Sequence, residues 1–295
     1  MAYMLQQQAR RLAFYTNSSS DDNLRKSPSR SIKPQIRRVD SNAPLSHIVA
    51  ALEEDGCVVI TDFTSPSSID AALQELEPYL DTLSPSDSEK PATEHTVTNT
   101  LPLSDLLASN EGLRSAILGP PLIHSVAAHF LTLSTTHYAA NNPVATTAQP
   151  ALSNAVAQVL RPSQTPPPLS RPDAIHHHRH LQSSTYTSGR DVALHLIVPT
   201  SDTSPATGAP RVVPGSHLWS DGPPDFDAEH GIISVEMEKG DALITLGSLY
   251  QASGSFRTGE KAETMMFYHV SFCNGVTRPE VLPLLKLGGE GREGE

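Results

Sequence analysis

Apolar and polar positions near the start of the chain predict a helix that is followed at once by a buried strand. Ile48 and Leu52 fall on one face of a helix, with Ser46 as its expected N-cap and Gly56 as its expected C-terminal stop. The apolar run 57–60 that follows is typical of a buried strand. The helix and the strand together predict the beginning of a packed core.

Helical spacing continues along the next part of the chain. An amphipathic helix is expected over 68–80. Apolar residues at helical spacing also cover 101–133, with a break at the Gly and Pro residues 119–121. Residues 134–173 are rich in Pro, Thr, Ser and Ala, so they predict mostly loop, with one strand at 156–160.

The second half of the chain has the pattern of short strands. Runs rich in β-branched and aromatic residues are separated by clusters of Gly, Pro, Asp and Ser. The expected strands are 192–198, 211–213, 232–237, 242–246 and 264–272. Helices that precede many short strands favour an α+β fold built on an antiparallel barrel or jelly roll.

Composition sets the chain ends apart from the middle. Residues 1–40 are polar and Ser-rich, and they predict a disordered or loosely ordered N-terminal arm; their Arg content also fits a cleaved transit peptide. Residues 41–285 are long enough for a single domain with a sizeable core. The Gly-rich residues 286–295 predict a flexible C-terminal tail.

Charge and cysteine content exclude several classes of function. The chain has 21 basic and 32 acidic residues, and a formal charge of -11 disfavours binding to nucleic acid or to an anionic membrane surface. No apolar run approaches the roughly 20 residues of a membrane helix. Cys57 and Cys273 are far apart in the sequence, so we interpret both as buried thiols in a reducing compartment and expect a cytoplasmic protein.

A run of histidines is the most unusual local feature, since residues 173–180 read DAIHHHRH. If this run is a strand, His176, His178 and His180 point to one face, where an H-x-H pair can chelate zinc, copper or iron. A polar run that faces solvent is the alternative. Further candidate ligands are His195, His217 and His269.

Three blocks of sequence occur in the order that is found in one known family. They read LEEDGCVVI over 52–60, GAPRVVPGSHLW over 208–219 and KGDALITLGSLY over 239–250. Together they resemble the phytanoyl-CoA dioxygenase family over most of residues 45–275, and most of all its fungal members that tailor terpenoid, meroterpenoid and alkaloid products. The resemblance implies a double-stranded β-helix, which is a cupin-like jelly roll, with flanking N-terminal helices.

The resemblance also implies a metal site and a co-substrate site. Active members of the family hold Fe(II) through an H-x-D…H triad and bind 2-oxoglutarate through a Gln and an Arg. The first His is retained as His178, whereas the Asp falls on His180 and the distal His falls on Gln251. The Gln and Arg positions fall on Ile175 and Ala262. Four of these five positions differ from the family, so we expect a vestigial site that binds neither Fe(II) nor 2-oxoglutarate.

Three functions are compatible with such a site. The first is a non-catalytic pseudoenzyme subunit in terpenoid or meroterpenoid biosynthesis. It pairs either with an active dioxygenase paralogue, which holds the Fe(II) and 2-oxoglutarate, or with a second copy of itself. The second is a metal-independent isomerase or cyclase that acts on a terpenoid-like molecule through His178, His180, Tyr250, His269 or Arg257. The third is an active dioxygenase with an unusual His-rich metal site at His178 and His180.

Overall fold

The predicted helices and strands occur in the predicted order, and further strands that were not predicted lie between them. The computed structural model describes residues 36–80, 99–103, 107–108, 110–160, 166–222, 231–255, 265–277 and 279. The described α-helices are α1 Leu45–Asp55, α2 Pro66–Leu80, α3 Glu111–Leu118 and α4 Pro121–Leu131. The strands are β1 Arg38–Asp40, β2 Cys57–Thr61, β3 Asn99–Pro102, β4 Leu133–Ala139, β5 Asn142–Ala148, β6 Ala151–Leu160, β7 Ala193–Pro199, β8 Arg211–Val212, β9 Ile233–Ser234, β10 Ala242–Leu246, β11 Gln251–Ala252 and β12 Met265–Cys273.

The turn between α1 and β2 depends on Gly56. This residue has a left-handed backbone, with φ of 75°, and its N–H donates to the carbonyl of Leu52, as the sequence predicts. The predicted N-cap at Ser46 is wrong, because α1 begins one residue earlier and follows Pro44. Pro44 provides no side-chain cap, and its carbonyl accepts the N–H of His47 at 2.9 Å.

The strands form two facing sheets and one separate hairpin. The large sheet has the order β1-β2-β10-β7-β12-β6-β3, and the small sheet has the order β11-β8-β9. Among the described strands, β4 pairs with β5 alone. In the large sheet β1 and β2 are parallel, and the other neighbours are antiparallel.

Side chains alternate between two cores on either side of the large sheet. Val58 and Ile60 pack with the helices in one hydrophobic cluster. Val59 points the other way and packs with Leu243 and with Val212 of the small sheet. The two sheets therefore enclose an interior while the helices cover the outer face, and the predicted α+β jelly roll is confirmed.

Sequence patterns did not predict several local structures, among them β1, β3, β11 and the β4–β5 hairpin. The β4–β5 hairpin falls in a segment predicted as loop, because almost all its side chains are exposed and show no alternation of burial. The strand alternative for the histidine run is wrong, because Pro172–His176 is a 3-10 helix and His177 follows it in a left-handed conformation with φ of 54°.

The domain limits stay predictions, but the described residues bear on one of them. Residues 38–40, at the end of the predicted arm, form an edge strand of the large sheet. The proposed tail, 286–295, lies outside the described residues. Among the residues that the structure describes, no helix has the length and apolar composition needed to cross a membrane.

Candidate functional site

The interior face of the large sheet carries a row of polar side chains. In register across β10, β7, β12 and β6 lie Thr245, His195, Ser271 and Asn154. Residues in register on neighbouring strands point to the same face of a sheet. Leu194 and Leu196, which flank His195, pack with the helices on the outer face, so the polar row faces the interior.

The next row of the same face is apolar apart from one histidine. Leu243, Ile197, His269 and Val156 lie in register there. Ile197, His269 and Val156 are only half-buried, although most of the large sheet is fully buried. An accessible interior with apolar walls and a few polar groups is typical of sites for small molecules.

His195 is a deeply buried titratable group of the interior. Its side chain is 2% exposed, and its Nδ1 lies 2.8 Å from Ser271 Oγ. Burial, and then the nearby His269 and His176, hold the pKa of His195 well below its usual range. Burial also lowers the pKa of His269 to about 4, and the two rings lie 5.4 Å apart. Both imidazoles are therefore neutral at neutral pH.

Gln251 reaches this row from the opposite sheet. Its side chain is buried, and its Oε1 accepts a hydrogen bond of 3.1 Å from Thr245 Oγ1. The backbone of Gln251 exchanges two hydrogen bonds, of 2.9 and 3.0 Å, with Ser170. The small sheet thus holds Gln251 and Ser170 side by side at the edge of the interior.

Three nitrogen atoms in the interior are buried and have no hydrogen-bond partner among the described residues. They are Gln251 Nε2, His195 Nε2 and His269 Nε2. Unpaired buried polar groups destabilise a fold by about 1–3 kcal/mol each, so such groups point to a ligand or to ordered water.

The histidine run belongs to a second polar cluster. His178 Nε2 bonds the carbonyl of Arg190 at 2.8 Å, and the His178 and His180 rings are 5.0 Å apart. His180 is buried, and its Nε2 lies 2.9 Å from Asp173 Oδ2, at an angle that does not make a hydrogen bond. The carboxylate of Asp221 accepts the backbone N–H of His180. These contacts tie the run to the surrounding backbone.

A second buried carboxylate lies next to this pair. Asp191 accepts the backbone N–H of Ser248 at 3.0 Å, and burial raises the pKa of Asp191. The charge of Asp173 raises this pKa further, and His180 lowers it. The second cluster therefore contains two buried carboxylates, Asp173 and Asp191, close to the imidazole of His180. Asp191 also bonds the backbone of the turn that leads to Gln251.

The other predicted site residues have different surroundings. Ile175 is 54% exposed. The Tyr250 ring lies 4.6 Å beneath the guanidinium of Arg171. Arg257 and Ala262 lie outside the described residues.

The described residues do not fit the iron site that the resemblance implies. No hydrogen bond or ring contact joins Gln251 to His178 or His180, whereas Ser170 lies directly opposite Gln251. In the described part of the chain, no three His, Cys, Asp or Glu side chains are grouped so that they could hold a metal ion. The assignment of the vestigial metal positions to His178 and His180 stays a prediction.

The polar row itself was only partly visible in the sequence. The sequence predicts His195 and His269 as candidate ligands, whereas it gives no such prediction for Ser271 or Thr245. A usable signal was present, because His195 interrupts an apolar strand and Ser271 follows His269 at the spacing of one strand face.

Known proteins resemble this chain over most of its length. The sequence profile of the phytanoyl-CoA dioxygenase (PhyH) family matches residues 52–262. Dioxygenase swnH1 of Metarhizium robertsii is 24% identical over 250 residues, which cover 83% of this chain and 77% of the relative. Dioxygenase himG of Aspergillus japonicus is 26% identical over 261 residues, with 87% and 77% covered.

Solved structures share the fold at lower identity. HygX of Streptomyces hygroscopicus, solved with nickel and 2-oxoglutarate bound, has a TM-score of 0.55 and 17% identity, and the match covers 80% of this chain and 90% of HygX. The non-heme alpha-ketoglutarate-dependent epimerase SnoN from nogalamycin biosynthesis has a TM-score of 0.52 and 18% identity, with 84% and 91% covered. Because the profile match spans well over half of the 295 residues, the chain belongs to the phytanoyl-CoA dioxygenase (PhyH) family.

Proposed function

We propose that this chain is a non-catalytic member of its family that works as a subunit beside an active Fe(II)/2-oxoglutarate dioxygenase. The observation that supports it is the surroundings of Gln251, the position of the distal iron ligand by resemblance. Its amide oxygen is bonded to Thr245, and the residue opposite is Ser170. The family's triad offers Fe(II) two imidazoles and a carboxylate, whereas an amide and a hydroxyl bring no negative charge.

The subunit role accounts for a fold that is complete around an altered site. The hydrophobic clusters on both faces of the large sheet are continuous. A subunit must keep its core and its surface but does not need its own iron ligands. The active partner would hold the Fe(II) and 2-oxoglutarate.

The β4–β5 hairpin is the surface that we assign to the partner. A two-stranded hairpin is marginally stable alone in water, so one that packs against little of its own chain needs a cover. Nearly all side chains of residues 133–148 are exposed, and Tyr138 is 71% exposed. The segment also lacks Asp, Glu, Lys and Arg, although the chain has a formal charge of -11. Protein interfaces are depleted of charge in the same way, and open strand edges accept further strands.

The process that we propose is the biosynthesis of a terpenoid-like small molecule in the cytoplasm. The support is the resemblance to fungal tailoring enzymes, together with fungal dioxygenase relatives such as himG and swnH1. Nucleic acids and membranes are not among the proposed partners, because the chain is acidic.

An anaerobic titration with Fe(II) and 2-oxoglutarate tests the non-catalytic role. The purified chain is expected to show no visible metal-to-ligand charge-transfer band, while a relative from the same genome that retains the H-x-D…H pattern shows one. A band that saturates at one iron per chain would overturn the proposal and support a His-rich iron site instead.

Co-expression with that relative tests the partner role. We expect a complex of defined stoichiometry in light scattering, and higher activity from the relative in the complex than alone. If the two chains elute separately and the activity of the relative is unchanged, the subunit role is wrong.

A further inference from the structure

The interior row contains hydrogen-bond donors that lack acceptors. Thr245 donates to Gln251 Oε1, which leaves the Nε2 amide of Gln251 as a free donor. Thr245 is also the cross-strand neighbour of His195, so Gln251 contacts the same row of side chains that contains His195. Gln251 is 7% exposed and His195 is 2% exposed, and the unpaired nitrogen of each side chain is buried.

The role of His195 depends on which group donates in its contact with Ser271. A serine hydroxyl that donates to Nδ1 places the single proton of a neutral imidazole on Nε2. The 2.8 Å contact between Ser271 Oγ and His195 Nδ1 has a length that fits a hydrogen bond in either direction, and we assign Ser271 as its donor. His195 Nε2 then becomes a second buried donor, and the two donors together call for an oxygen acceptor.

The charge of the site decides which oxygen acceptor fits. In the described part of the chain, no Lys or Arg bonds His195, Ser271, Gln251 or His269. Burial also keeps both imidazoles neutral. A carboxylate that is buried without a cation pays a large desolvation penalty, whereas a carbonyl carries no net charge and accepts two hydrogen bonds.

The side chains that line the interior indicate the polarity of the rest of the ligand. The row beside His195 presents Leu243, Ile197 and Val156, and the last two are half-buried and therefore reachable from outside. Such walls suit an apolar carbon skeleton.

We infer that the interior of this chain binds, without a metal, a neutral and largely apolar small molecule through its ketone, ester or lactone carbonyl, with His195 Nε2 and Gln251 Nε2 as the two donors. The inference goes beyond the subunit role, because it gives the non-catalytic chain a ligand of its own. It does not depend on the partner, so failure of the co-expression experiment leaves it intact.

Three ten-carbon probes of similar shape test the carbonyl requirement on the full-length chain: the ketone carvone, the hydrocarbon limonene and the carboxylate perillate. Calorimetry is expected to give carvone at least about tenfold tighter binding than limonene, the difference that one or two hydrogen bonds supply. Perillate is expected to bind more weakly than carvone. Equal affinity for carvone and limonene, tighter binding of perillate, or no binding of any probe up to millimolar concentration would each overturn the inference.

Nitrogen-15 NMR of the imidazoles tests the assignment to His195 without a variant. The free protein is expected to show His195 as the Nε2–H tautomer, and carvone but not limonene is expected to shift that signal. A His195 signal that stays unchanged while carvone binds would place the ligand elsewhere and overturn the assignment.

Variants of His195 distinguish the hydrogen bond that it donates to the ligand from its apolar contact with the ligand. His195→Phe is expected to weaken carvone binding about tenfold and limonene binding less than twofold, because only the hydrogen bond is removed. His195→Gln keeps an amide donor and is expected to remain within about threefold of the wild type for carvone. His129→Phe, on the exposed face of α4, is the matched control and should change neither affinity. Equal losses for carvone and limonene in His195→Phe would contradict the donor role.

Discussion

At the scale of single residues, the pairing of Ser170 with Gln251 allows the metal positions to be tested by gain of function. Two residues that exchange both backbone hydrogen bonds have Cα atoms about 5.5 Å apart, which suits two ligands of one metal ion. The competing assignment uses His178 and His180, which contact Arg190 and each other. The two assignments differ in the residue that must be changed together with Gln251.

We expect Ser170→His combined with Gln251→His to bind Ni(II) at least about tenfold tighter than Gln251→His alone, because it places two imidazoles on one face. Calorimetric titration with Ni(II) measures the difference. If Gln251→His alone already binds Ni(II) as tightly as the double variant, and if added His178→Ala abolishes that binding, the assignment to His178 and His180 is correct instead.

His195 shows why the interior chemistry was harder to predict than the strand that carries it. The apolar neighbours Leu194 and Leu196 are enough to predict β7 from the sequence. That His195 meets Ser271 depends on the pairing of β7 with β12, and its relation to Gln251 depends on a second sheet. Strand pairs that are distant in sequence leave no local signal.

At the scale of elements, Gly56 couples the end of α1 to the loop that carries His217. A Cβ at this position would lie 2.6 Å from His217 Nδ1, and the backbone φ of 75° is unfavourable for any residue with a side chain. Gly215 has a similar φ of 80°, but no atom lies within 4 Å of its Cβ position. Substitution of Gly215 therefore measures the cost of backbone strain alone, whereas substitution of Gly56 measures backbone strain and a steric clash together.

Gly56→Ala is expected to destabilise the fold by roughly 2–4 kcal/mol, and Gly215→Ala by about 1–2 kcal/mol, since only the first change adds a clash to the backbone term. Urea unfolding followed by circular dichroism measures both free energies. Equal losses would show that the loop of His217 moves aside at no cost, which would contradict the tight contact seen here.

The elements that the sequence predicted share one property. α1, β2 and β10 each bury one side or both, so their apolar residues recur at the period of a helix or form an unbroken run. The β4–β5 hairpin buries almost nothing, and its Thr- and Ala-rich strands carry no such signal. Burial within the chain produces the periodicity of apolar residues from which elements are predicted. An element that is buried only by a partner therefore lacks this periodicity.

The hairpin prediction concerns association rather than stability. Tyr138→Lys is expected to weaken the complex with the active relative at least about tenfold, because it places a charge in an interface that lacks any. The stability of the isolated chain should change by less than about 0.5 kcal/mol, since the side chain is exposed. Val276→Lys changes a residue that is also 71% exposed, and it serves as the control.

Light scattering of the mixed chains measures the association, and thermal unfolding of each variant checks its stability. If Val276→Lys weakens the complex as much as Tyr138→Lys does, the effect is one of overall charge and the hairpin is not the contact surface.

At the scale of the whole molecule, buried histidines and a buried carboxylate give opposite pH dependence. Burial lowers the pKa of His217 and of His269 to about 4, and it holds the pKa of His195 well below 6.5. A lowered pKa means that the unfolded chain binds protons more readily, so stability is full above about pH 6.5 and falls as the pH drops toward 4. Burial raises the pKa of Asp191, which makes its contribution grow as the pH falls.

His217 isolates the histidine part of this balance. Its Nε2 bonds the carbonyl of Glu53 at 3.1 Å, which assigns the single proton of the neutral ring to Nε2. His217→Gln keeps an N–H donor for that carbonyl but cannot titrate. Between pH 6.5 and 5, the free energy of unfolding of the variant should therefore fall less steeply than that of the wild type, by up to about 1.4 kcal/mol per pH unit for one proton. Urea unfolding at half-unit steps of pH measures both slopes, and parallel slopes would mean that His217 takes up a proton as readily in the folded chain as in the unfolded chain.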